Sequence, residues 1–182
     1  MPKYYSNKEM VLRAVWAVVE FVAFSFSPRL LYGWRNAVLR IMGAKIGKRV
    51  RIYPGARIMY PWLLEVGDGA LISWGVKIYN LGKIKIGAGT TVSQYAHLCG
   101  GTHDYQSGYF ELKRTGLTVG ENVWIAADAF VGPGVTVHDG SLVAARAVVI
   151  GDVQSGSIVG GNPAKEIGKL ERPYNSQIRK RA

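Results

Sequence analysis

An aliphatic residue that returns every six positions is the feature that most constrains the fold of this chain. Between residues 119 and 149 the spacing is unbroken, and it is kept by Val119, Ile125, Val131, Val137, Val143 and Val149. Four residues after each of these comes a second apolar or small residue, in turn Val123, Ala129, Val135, Ser141, Ala147 and Val153. Each six-residue unit therefore repeats the same inward face, which indicates a repeat array.

The same pattern occurs upstream in groups of three units that begin twenty residues apart. The three groups are Ile46, Ile52 and Ile58, then Val66, Ile72 and Ile78, then Ile86, Val92 and Leu98. Three short strands complete one triangular coil, so the fifteen units predict a parallel β-helix of about five coils. An α-helical array is excluded because the period is six rather than about 3.6, and because 23 glycines would break the helices.

The array is interrupted once, after His103, and resumes at Val119. The residues in between, 104–118, are predicted to loop out of the coil. A loop expelled from a regular solenoid usually carries function, because the regular part does not need it for stability. His103 at the base of this loop is the first candidate functional residue.

The N-terminal segment differs in kind and predicts a helical hairpin. Ser6 and Glu9 form a capping-box pattern ahead of an apolar run, 14–26, whose one charged residue is Glu20. A second helix is expected to start with Ser27 as N-cap and Pro28 in its first position. Its apolar side would comprise Leu30, Leu31, Trp34, Val38 and Met42, and it would end at Gly43.

Membrane insertion of this run is not expected. Its thirteen residues are fewer than the ~20 that span a bilayer. A signal peptide is the alternative, but Glu20 and the Phe24-Ser25-Phe26 segment argue against a cleavable leader.

The charge is concentrated at the ends of the chain. Residues 1–60 contain eleven Lys and Arg against two Glu, which supplies +9 of the formal net charge of +11. Net charge alone does not choose between nucleic acid, anionic lipid and a phosphorylated ligand. No nucleic-acid-binding motif occurs, so no nucleic-acid partner is predicted. The lone Cys99 excludes an internal disulfide and favours a reducing compartment, the cytoplasm.

The chain resembles the left-handed β-helix acyltransferases of the hexapeptide-repeat superfamily, which includes galactoside and maltose O-acetyltransferases. Besides the six-residue units, the resemblance is carried by Thr102-His103-Asp104, by the block 119–125 and by the closing segment 161–165. Ser27-Pro28, Trp34-Arg35 and the segment 43–47 extend it towards the colanic-acid-type exopolysaccharide O-acetyltransferases. The left hand of the coil is implied by this resemblance alone. The expected organisation is a hairpin, 1–43, a β-helix, 44–168, and a basic tail, 169–182.

The resemblance implies acetyl transfer from acetyl-CoA to a sugar hydroxyl of a surface polysaccharide or its precursor, by a homotrimer with sites between subunits. Such a transfer needs a base for the hydroxyl proton, and imidazole titrates near neutral pH, so His103 is the predicted base. Asp104 would orient the imidazole or simply be a polar loop residue. Cys99 could be a nucleophile, although a small buried residue is the simpler interpretation. Glu111 is a candidate for the Glu that related galactoside enzymes carry in this loop.

The same resemblance places the two substrates. Ala127 and Ala145 would contact the pantetheine arm of acetyl-CoA, and Lys165 its nucleotide phosphates. Trp124 would line the same groove or cover a coil edge. Ser73 and Asn80 fall where related enzymes hold the acceptor sugar. No metal is expected.

Two other classes of function are considered. A γ-type carbonic anhydrase shares the fold but needs three zinc-binding His, and the spacing of His97, His103 and His138 does not match that family. A non-catalytic scaffold that uses the basic hairpin is the second, and an acetyl-CoA binding assay would separate it from an enzyme. The hairpin itself is expected to shield the first coil. Its charge, beside Trp16, Phe21, Phe24, Phe26 and Trp34, also suits peripheral contact with the inner membrane face.

Overall fold

Three parallel sheets form the sides of a triangular prism in the computed structural model, which describes residues 6–171. Face A contains β1 (Lys45–Ile46), β4 (Leu64–Val66), β7 (Ile84–Ile86), β12 (Leu117–Val119) and β15 (Thr136–Val137). Face B contains β2 (Arg51–Ile52), β5 (Leu71–Ile72), β8 (Thr91–Val92), β13 (Trp124–Ile125), β16 (Leu142–Val143), β18 (Ser157–Gly161) and β19 (Ala164–Lys169). Face C contains β3 (Arg57–Ile58), β6 (Lys77–Tyr79), β9 (His97–Cys99), β14 (Phe130–Val131) and β17 (Val148–Val149).

The strand register confirms the six-residue pattern. On face B, Ile52 pairs with Ile72, and Val92 pairs with Ile125. All fifteen predicted aliphatic residues are buried in one column, together with the second residue of each unit in the regular stretch. Ser141, the polar member of that second set, is also buried, and its hydroxyl donates to the His138 carbonyl at 2.6 Å.

The coil count needs a correction. Five coils are complete, and Val153 and β18 then form two sides of a sixth. Val153 pairs with Val137 although it follows Val149 by only four positions instead of six. The counting of units missed this coil because a two-residue deletion breaks the spacing there. The strand β19 turns back antiparallel on β18 and closes this end.

The predicted helical hairpin is present, with one boundary wrong. The first helix, α1 (Asn7–Val19), has the expected capping box between Ser6 and Glu9, and it continues as a π-helix (Glu20–Ser25). The second, α2 (Tyr32–Ile41), begins four residues after Pro28. The Ser27 hydroxyl donates to the Phe24 carbonyl, so it closes the preceding turn and does not cap α2. A short 3₁₀ turn, Pro61–Leu63, precedes β4.

The hairpin caps the open edge of the first coil, as expected. Along the three faces, each coil donates its backbone N–H groups to the carbonyls of the next one, so the corresponding carbonyls of the first coil lack a donor from below. Side chains of the hairpin supply it. Trp16 Nε1 donates to Ile58 O at 2.7 Å, Arg35 Nε to Ile52 O at 2.6 Å, Asn36 Nδ2 to Val50 O at 2.8 Å and Arg40 Nε to Ile46 O at 3.0 Å. An exposed strand edge is thereby protected from pairing with another chain.

This capping contradicts the expected apolar side of α2. Val38 is buried and Met42 packs against the core, but Leu30, Leu31 and Trp34 are exposed. The buried side of α2 instead includes Arg35 and Asn36, because it faces the carbonyl edge. No helix within residues 6–171 has the length and apolar character to cross a membrane. The predicted basic tail, 169–182, lies outside the described residues from residue 172 onwards.

Candidate active site

The expected loop leaves the prism where face C turns into face A, here called the C–A edge. In the third coil β9 ends at Cys99, and the next strand of face A, β12, starts only at Leu117. The base of the loop is pinched by glycines, since the Gly100 carbonyl accepts from Gly82 N–H at 3.0 Å and from Gly116 N–H at 2.9 Å. Gly116 has φ +71°, and a Cβ there would overlap the Lys83 carbonyl oxygen. The loop therefore leaves and re-enters the coil at one point.

The loop carries a small β-hairpin of its own. Strand β10 (Thr102–His103) pairs antiparallel with β11 (Leu112–Lys113). The Asp104 carboxylate forms an ion pair with Lys113 at 2.8 Å and accepts hydrogen bonds from the backbone N–H groups of Gln106 and Ser107. The Lys113 ammonium, helped by these N–H groups, lowers the pKa of Asp104 below its ordinary value. Asp104 thus stabilises the turn of the loop.

The N-terminal helix is tied to this loop. Arg114 Nη2 donates to the Glu9 carboxylate at 2.5 Å, and Arg114 Nε donates to the Leu81 carbonyl at 2.8 Å. The hydrogen bond from Arg114 lowers the pKa of Glu9. The position of the loop therefore depends on the hairpin as well as on the coil.

His103 is exposed and is held by Phe110. Its Nδ1 lies 2.9 Å from the Phe110 carbonyl oxygen, and the two rings stack with centroids 4.3 Å apart and planes 9° apart. A carbonyl only accepts, so this bond assigns the proton to Nδ1. In the neutral imidazole the lone pair then lies on Nε2, which is the tautomer that a general base requires.

The structure bears on three sequence expectations for this region. Asp104 bonds to Lys113 and to its own turn, so the imidazole is oriented by the Phe110 carbonyl and not by Asp104. The Cys99 thiol is half-buried and donates to the Gly101 carbonyl at 3.3 Å, which fits a structural role. Glu111 is exposed, and its backbone carbonyl accepts from Asp104 N–H. Sequence reasoning missed Phe110, because nothing in a loop sequence indicates which carbonyl the ring will meet.

The residues expected to bind acetyl-CoA lie on another edge of the prism, where face B turns into face C, the B–C edge. Ala127 and Ala145 occupy equivalent turns of successive coils, and Arg146 N–H donates to the Ala127 carbonyl at 2.9 Å. Asp128 N–H donates in the same way to Gln94 O, and Tyr95 N–H to Trp74 O. The column at this edge therefore runs Trp74, Gln94, Ala127 and Ala145.

Lys165 and Trp124 lie on face B, beside this edge. Lys165 is exposed and pairs with Gly160 across β18 and β19, and Gly160 lies over Ala144, the neighbour of Ala145. Trp124 is half-buried, and its Nε1 donates to the Ser93 hydroxyl at 2.9 Å. The structure thus places four residues expected at one ligand at or beside one edge: Trp124, Ala127, Ala145 and Lys165.

Two aromatic residues missed by the sequence reasoning continue this column downwards. Trp74 and Tyr95 are 52% and 55% exposed, and they lie at the B–C turns of the second and third coils, next to the half-buried Ser73. Trp74 packs over Gly55, and Tyr95 packs over Gly75, where a Cβ would strike the ring. One sequence signal could have indicated these two rings. In the coil beneath each ring, a glycine stands three residues after the aliphatic residue of the unit.

Asn80 is corrected by the structure. It is fully buried, its Oδ1 accepts from Tyr60 N–H at 2.9 Å and its Nδ2 donates to the Tyr60 carbonyl at 2.5 Å. Both ends of the amide are used to hold the neighbouring coil. We therefore do not retain Asn80 as a contact to an acceptor.

The three histidines do not converge. His97 lies half-buried on face C between the rings of Tyr79 and Phe130, and burial lowers its pKa. His138 is exposed on the turn after β15. In the part of the chain that the structure describes, no three His, Cys, Asp or Glu side chains are grouped as ligands for a metal ion.

Comparison with known proteins places this geometry in context. The family model described as bacterial transferase hexapeptide (six repeats) matches residues 116–151. A protein of Escherichia coli K12, named as a colanic acid biosynthesis acetyltransferase, is 42% identical over 164 residues, which is 90% of each chain.

Solved structures share the fold along almost the whole chain. A hexapeptide-repeat acetyltransferase of Vibrio cholerae, solved with acetyl coenzyme A, matches with a TM-score of 0.84 at 23% identity and covers 94% of each chain. A maltose O-acetyltransferase of Clostridium difficile matches with a TM-score of 0.81 at 22% identity and covers 92% of each. These neighbours are left-handed parallel β-helices, the fold that the resemblance implied.

Proposed function

The chain belongs to the hexapeptide-repeat acetyltransferases, the family of the Escherichia coli colanic acid protein, and from that membership we propose that it transfers acetyl groups from acetyl-CoA to a sugar hydroxyl of an exopolysaccharide or its precursor. The observation that carries the proposal is the state of His103. The imidazole is exposed, oriented by a backbone carbonyl and free at Nε2.

The donor is proposed to lie along the B–C edge. The small side chains of Ala127 and Ala145 let a narrow pantetheine arm approach the backbone of the turns, as its amides need for hydrogen bonding. The Lys165 ammonium at the upper end of the edge suits the phosphates of the nucleotide. Trp124, held by Ser93, would form one wall of this groove.

In the proposed reaction the sugar hydroxyl oxygen attacks the thioester carbonyl. His103 Nε2 takes the hydroxyl proton as the new C–O bond forms. The C–S bond then breaks, and the proton passes to the departing thiolate, so the products are the sugar acetate and free CoA. No covalent intermediate on the protein is needed. A positioned base of this kind contributes typically ~10² to 10⁴ in rate.

We propose that the active unit is a trimer with its sites between subunits. His103 leaves the prism at the C–A edge, whereas the proposed donor residues line the B–C edge of the same chain. The base of one chain and the donor of that chain are thus on different edges. A neighbouring copy that presents its B–C edge to the loop would complete the site.

For the acceptor we propose the lower part of the same edge. Ser73 offers a hydroxyl, and the exposed rings of Trp74 and Tyr95 offer flat apolar surfaces beside it. The apolar face of a pyranose packs well on such rings, and its hydroxyls remain free for hydrogen bonding. Because Ala127 lies in the next coil above, the acceptor would meet the thioester end of the donor.

We propose that the reaction takes place in the cytoplasm, at the inner face of the membrane. The lone Cys99, half-buried and free, fits a reducing compartment. Polysaccharide precursors are commonly lipid-linked at that face, so an enzyme that acetylates them benefits from a position there.

The test is the replacement His103→Ala, with His138→Ala as the matched control. Both residues are exposed, and only His103 has the Phe110 contact. We expect turnover of acetyl-CoA with polysaccharide-precursor acceptors to fall by roughly two orders of magnitude or more in His103→Ala, with acetyl-CoA binding and thermal unfolding unchanged. His138→Ala should retain normal turnover.

Near-normal turnover in His103→Ala would remove the base from the proposal. A wild-type protein that binds no acetyl-CoA in calorimetry would instead favour the scaffold alternative.

A further inference from the structure

The N-terminal hairpin buries polar as well as apolar side chains against the coil. Arg35 and Asn36 face the protein, because they are needed at the carbonyl edge of the first coil. Glu9 bonds to Arg114, and Glu20 lies 3.9 Å from Arg57 and accepts a hydrogen bond from the backbone of Ile58. These two are the only acidic residues before residue 61. Both carboxylates are therefore turned inwards.

The outward side is apolar. On a helix, positions 11, 15, 18 and 22 fall on one face, opposite the buried Trp16 and Phe24. The exposed set, here called the hairpin face, comprises Val11, Val15, Val18, Phe21, Val22, Phe26, Leu30, Leu31 and Trp34, with exposures between 45% and 82%. Monomeric proteins rarely expose large contiguous apolar patches without a partner.

Contacts link the two helical arms of the hairpin face. The rings of Phe21 and Phe26 are in contact, with centroids 5.0 Å apart. Trp34 Nε1 donates to the Ala23 carbonyl at 2.6 Å, so α2 joins the end of the π-helix. Of the nine side chains, the indole N–H is the one polar group, and it is already bonded. The hairpin face therefore offers a protein partner almost no hydrogen-bonding groups, although interfaces between proteins normally contain hydrogen bonds.

Cations border the hairpin face. Lys8 is exposed one turn before Val11, and Arg29 is exposed directly before Leu30. The Arg29 guanidinium is held over the Tyr53 ring, 4.9 Å from its centroid. With +9 in residues 1–60, two copies of this region would repel one another. An anionic surface is the complementary occupant.

We propose that the hairpin face is a docking surface for a lipid bilayer with anionic headgroups. Its valines, phenylalanines and leucines enter the boundary between headgroups and acyl chains, and Lys8 and Arg29 stay at the phosphates. This inference rests on the proposed function only for the purpose of the docking. That purpose would be to hold the B–C and C–A edges near a lipid-linked acceptor.

The test is flotation of the full chain with vesicles of phosphatidylcholine, with and without phosphatidylglycerol, over a range of salt. The wild type should float with the anionic vesicles, and binding should weaken as salt rises. The double variant Val18→Asp/Val22→Asp should reduce binding by about tenfold or more. The control Ile150→Asp changes an equally exposed apolar residue outside the hairpin, 68% exposed, and should bind as the wild type does.

A second measurement does not depend on the aspartate variants. Bromine-labelled lipids quench tryptophan fluorescence at the depth of the acyl chains. We expect quenching in the wild type that is lost in Trp34→Phe, because the other four Trp lie outside the hairpin face.

The outcomes separate the proposals. No flotation at low salt, or equal flotation of Val18→Asp/Val22→Asp and the wild type, would overturn the inference. So would a change in oligomeric state caused by that variant without a change in flotation, since it would assign the face to another copy. Flotation requires neither acetyl-CoA nor acceptor. A protein that floats but lacks transferase activity would refute the proposed function alone.

Discussion

Replacing Arg35 by Met tests whether the hairpin is held to the coil by its buried donors. The Arg35 side chain is fully buried, and it makes four hydrogen bonds. Nε donates to Ile52 O at 2.6 Å, Nη1 to Pro28 O at 2.8 Å and to Ser27 Oγ at 2.9 Å, and Nη2 to Arg29 O at 2.5 Å. Desolvation lowers the pKa of Arg35, yet an Arg remains charged at neutral pH.

The magnitude follows from these contacts. Hydrogen bonds from a charged donor contribute about 1.5–3 kcal/mol each, so four of them contribute at least about 6 kcal/mol before the cost of burying the charge. That cost is several kcal/mol and disappears in Arg35→Met, but the variant leaves buried acceptors without a donor. We expect the free energy of unfolding to fall by about 3–5 kcal/mol, the range for breaking a buried charged network.

The assay is urea unfolding followed by circular dichroism, at one fixed protein concentration so that self-association does not shift the midpoint. The matched control is Arg40→Met. Arg40 also donates to two carbonyls of the first coil, Ile46 O and Gly47 O, but it is exposed. Water can replace its bonds, so its loss should cost about 1 kcal/mol or less. A similar small loss in Arg35→Met would refute the reasoning.

Two further predictions concern the site. Lys165→Glu should raise the KM for acetyl-CoA and leave the KM for the acceptor unchanged, whereas Trp74→Ala should raise only the KM for the acceptor. Steady-state kinetics of both variants tests the two placements, and equal effects on both substrates would contradict them. Because the pKa of Asp104 is lowered, its ion pair with Lys113 stabilises the loop fully at pH values above the ordinary carboxyl pKa. This stabilisation is lost as the pH falls through the pKa that Asp104 has in the folded protein. The protection factors of the amides of residues 104–113, which correct for the intrinsic pH dependence of hydrogen exchange, should therefore fall in acid in the wild type and should be low at all pH values in Asp104→Asn. Wild-type protection factors that do not respond to acid would disprove the role of the pair.

Most of the prism could be predicted because each six-residue unit contains its own aliphatic residue for the core. An aliphatic residue such as Ile125 must be buried wherever it lies, and the regular spacing leaves one way to stack all of them. The prediction failed where the spacing was broken. The sixth coil follows a two-residue deletion, and only strand pairing between Val137 and Val153 reveals it.

The hairpin was predictable in its helices but not in its orientation. The capping box at Ser6 is a local signal and was read correctly. The side of α2 that faces the protein was read wrongly, because hydrophobicity indicates burial only when the surface to be covered is apolar. Here that surface is a row of backbone carbonyls, so Arg35 and Asn36 are buried and Leu30 is left outside.

The candidate site also has a part that could be predicted from the sequence and a part that could not. The position of His103 at the foot of the loop follows from the sequence, since the break in the repeat and the residue type are both local facts. The carbonyl that orients the ring does not, because Phe110 reaches His103 only after the loop has folded into its β-hairpin. The separation of His103 from the edge of Ala127 and Lys165 is likewise a property of the coil.

The residues inside the prism, the loop break after His103 and the imidazole at that break all follow from the sequence. Each of these depends on the identity and spacing of residues within a few positions of one another. Which groups of distant segments meet is set by the folded chain: the donors of the hairpin meet the carbonyls of the first coil, and Trp74 joins the column of Ala127. The physical reason is that an unpaired strand edge or an exposed turn exists only once the coil has closed, so a side chain's partner there is not encoded in its own neighbourhood.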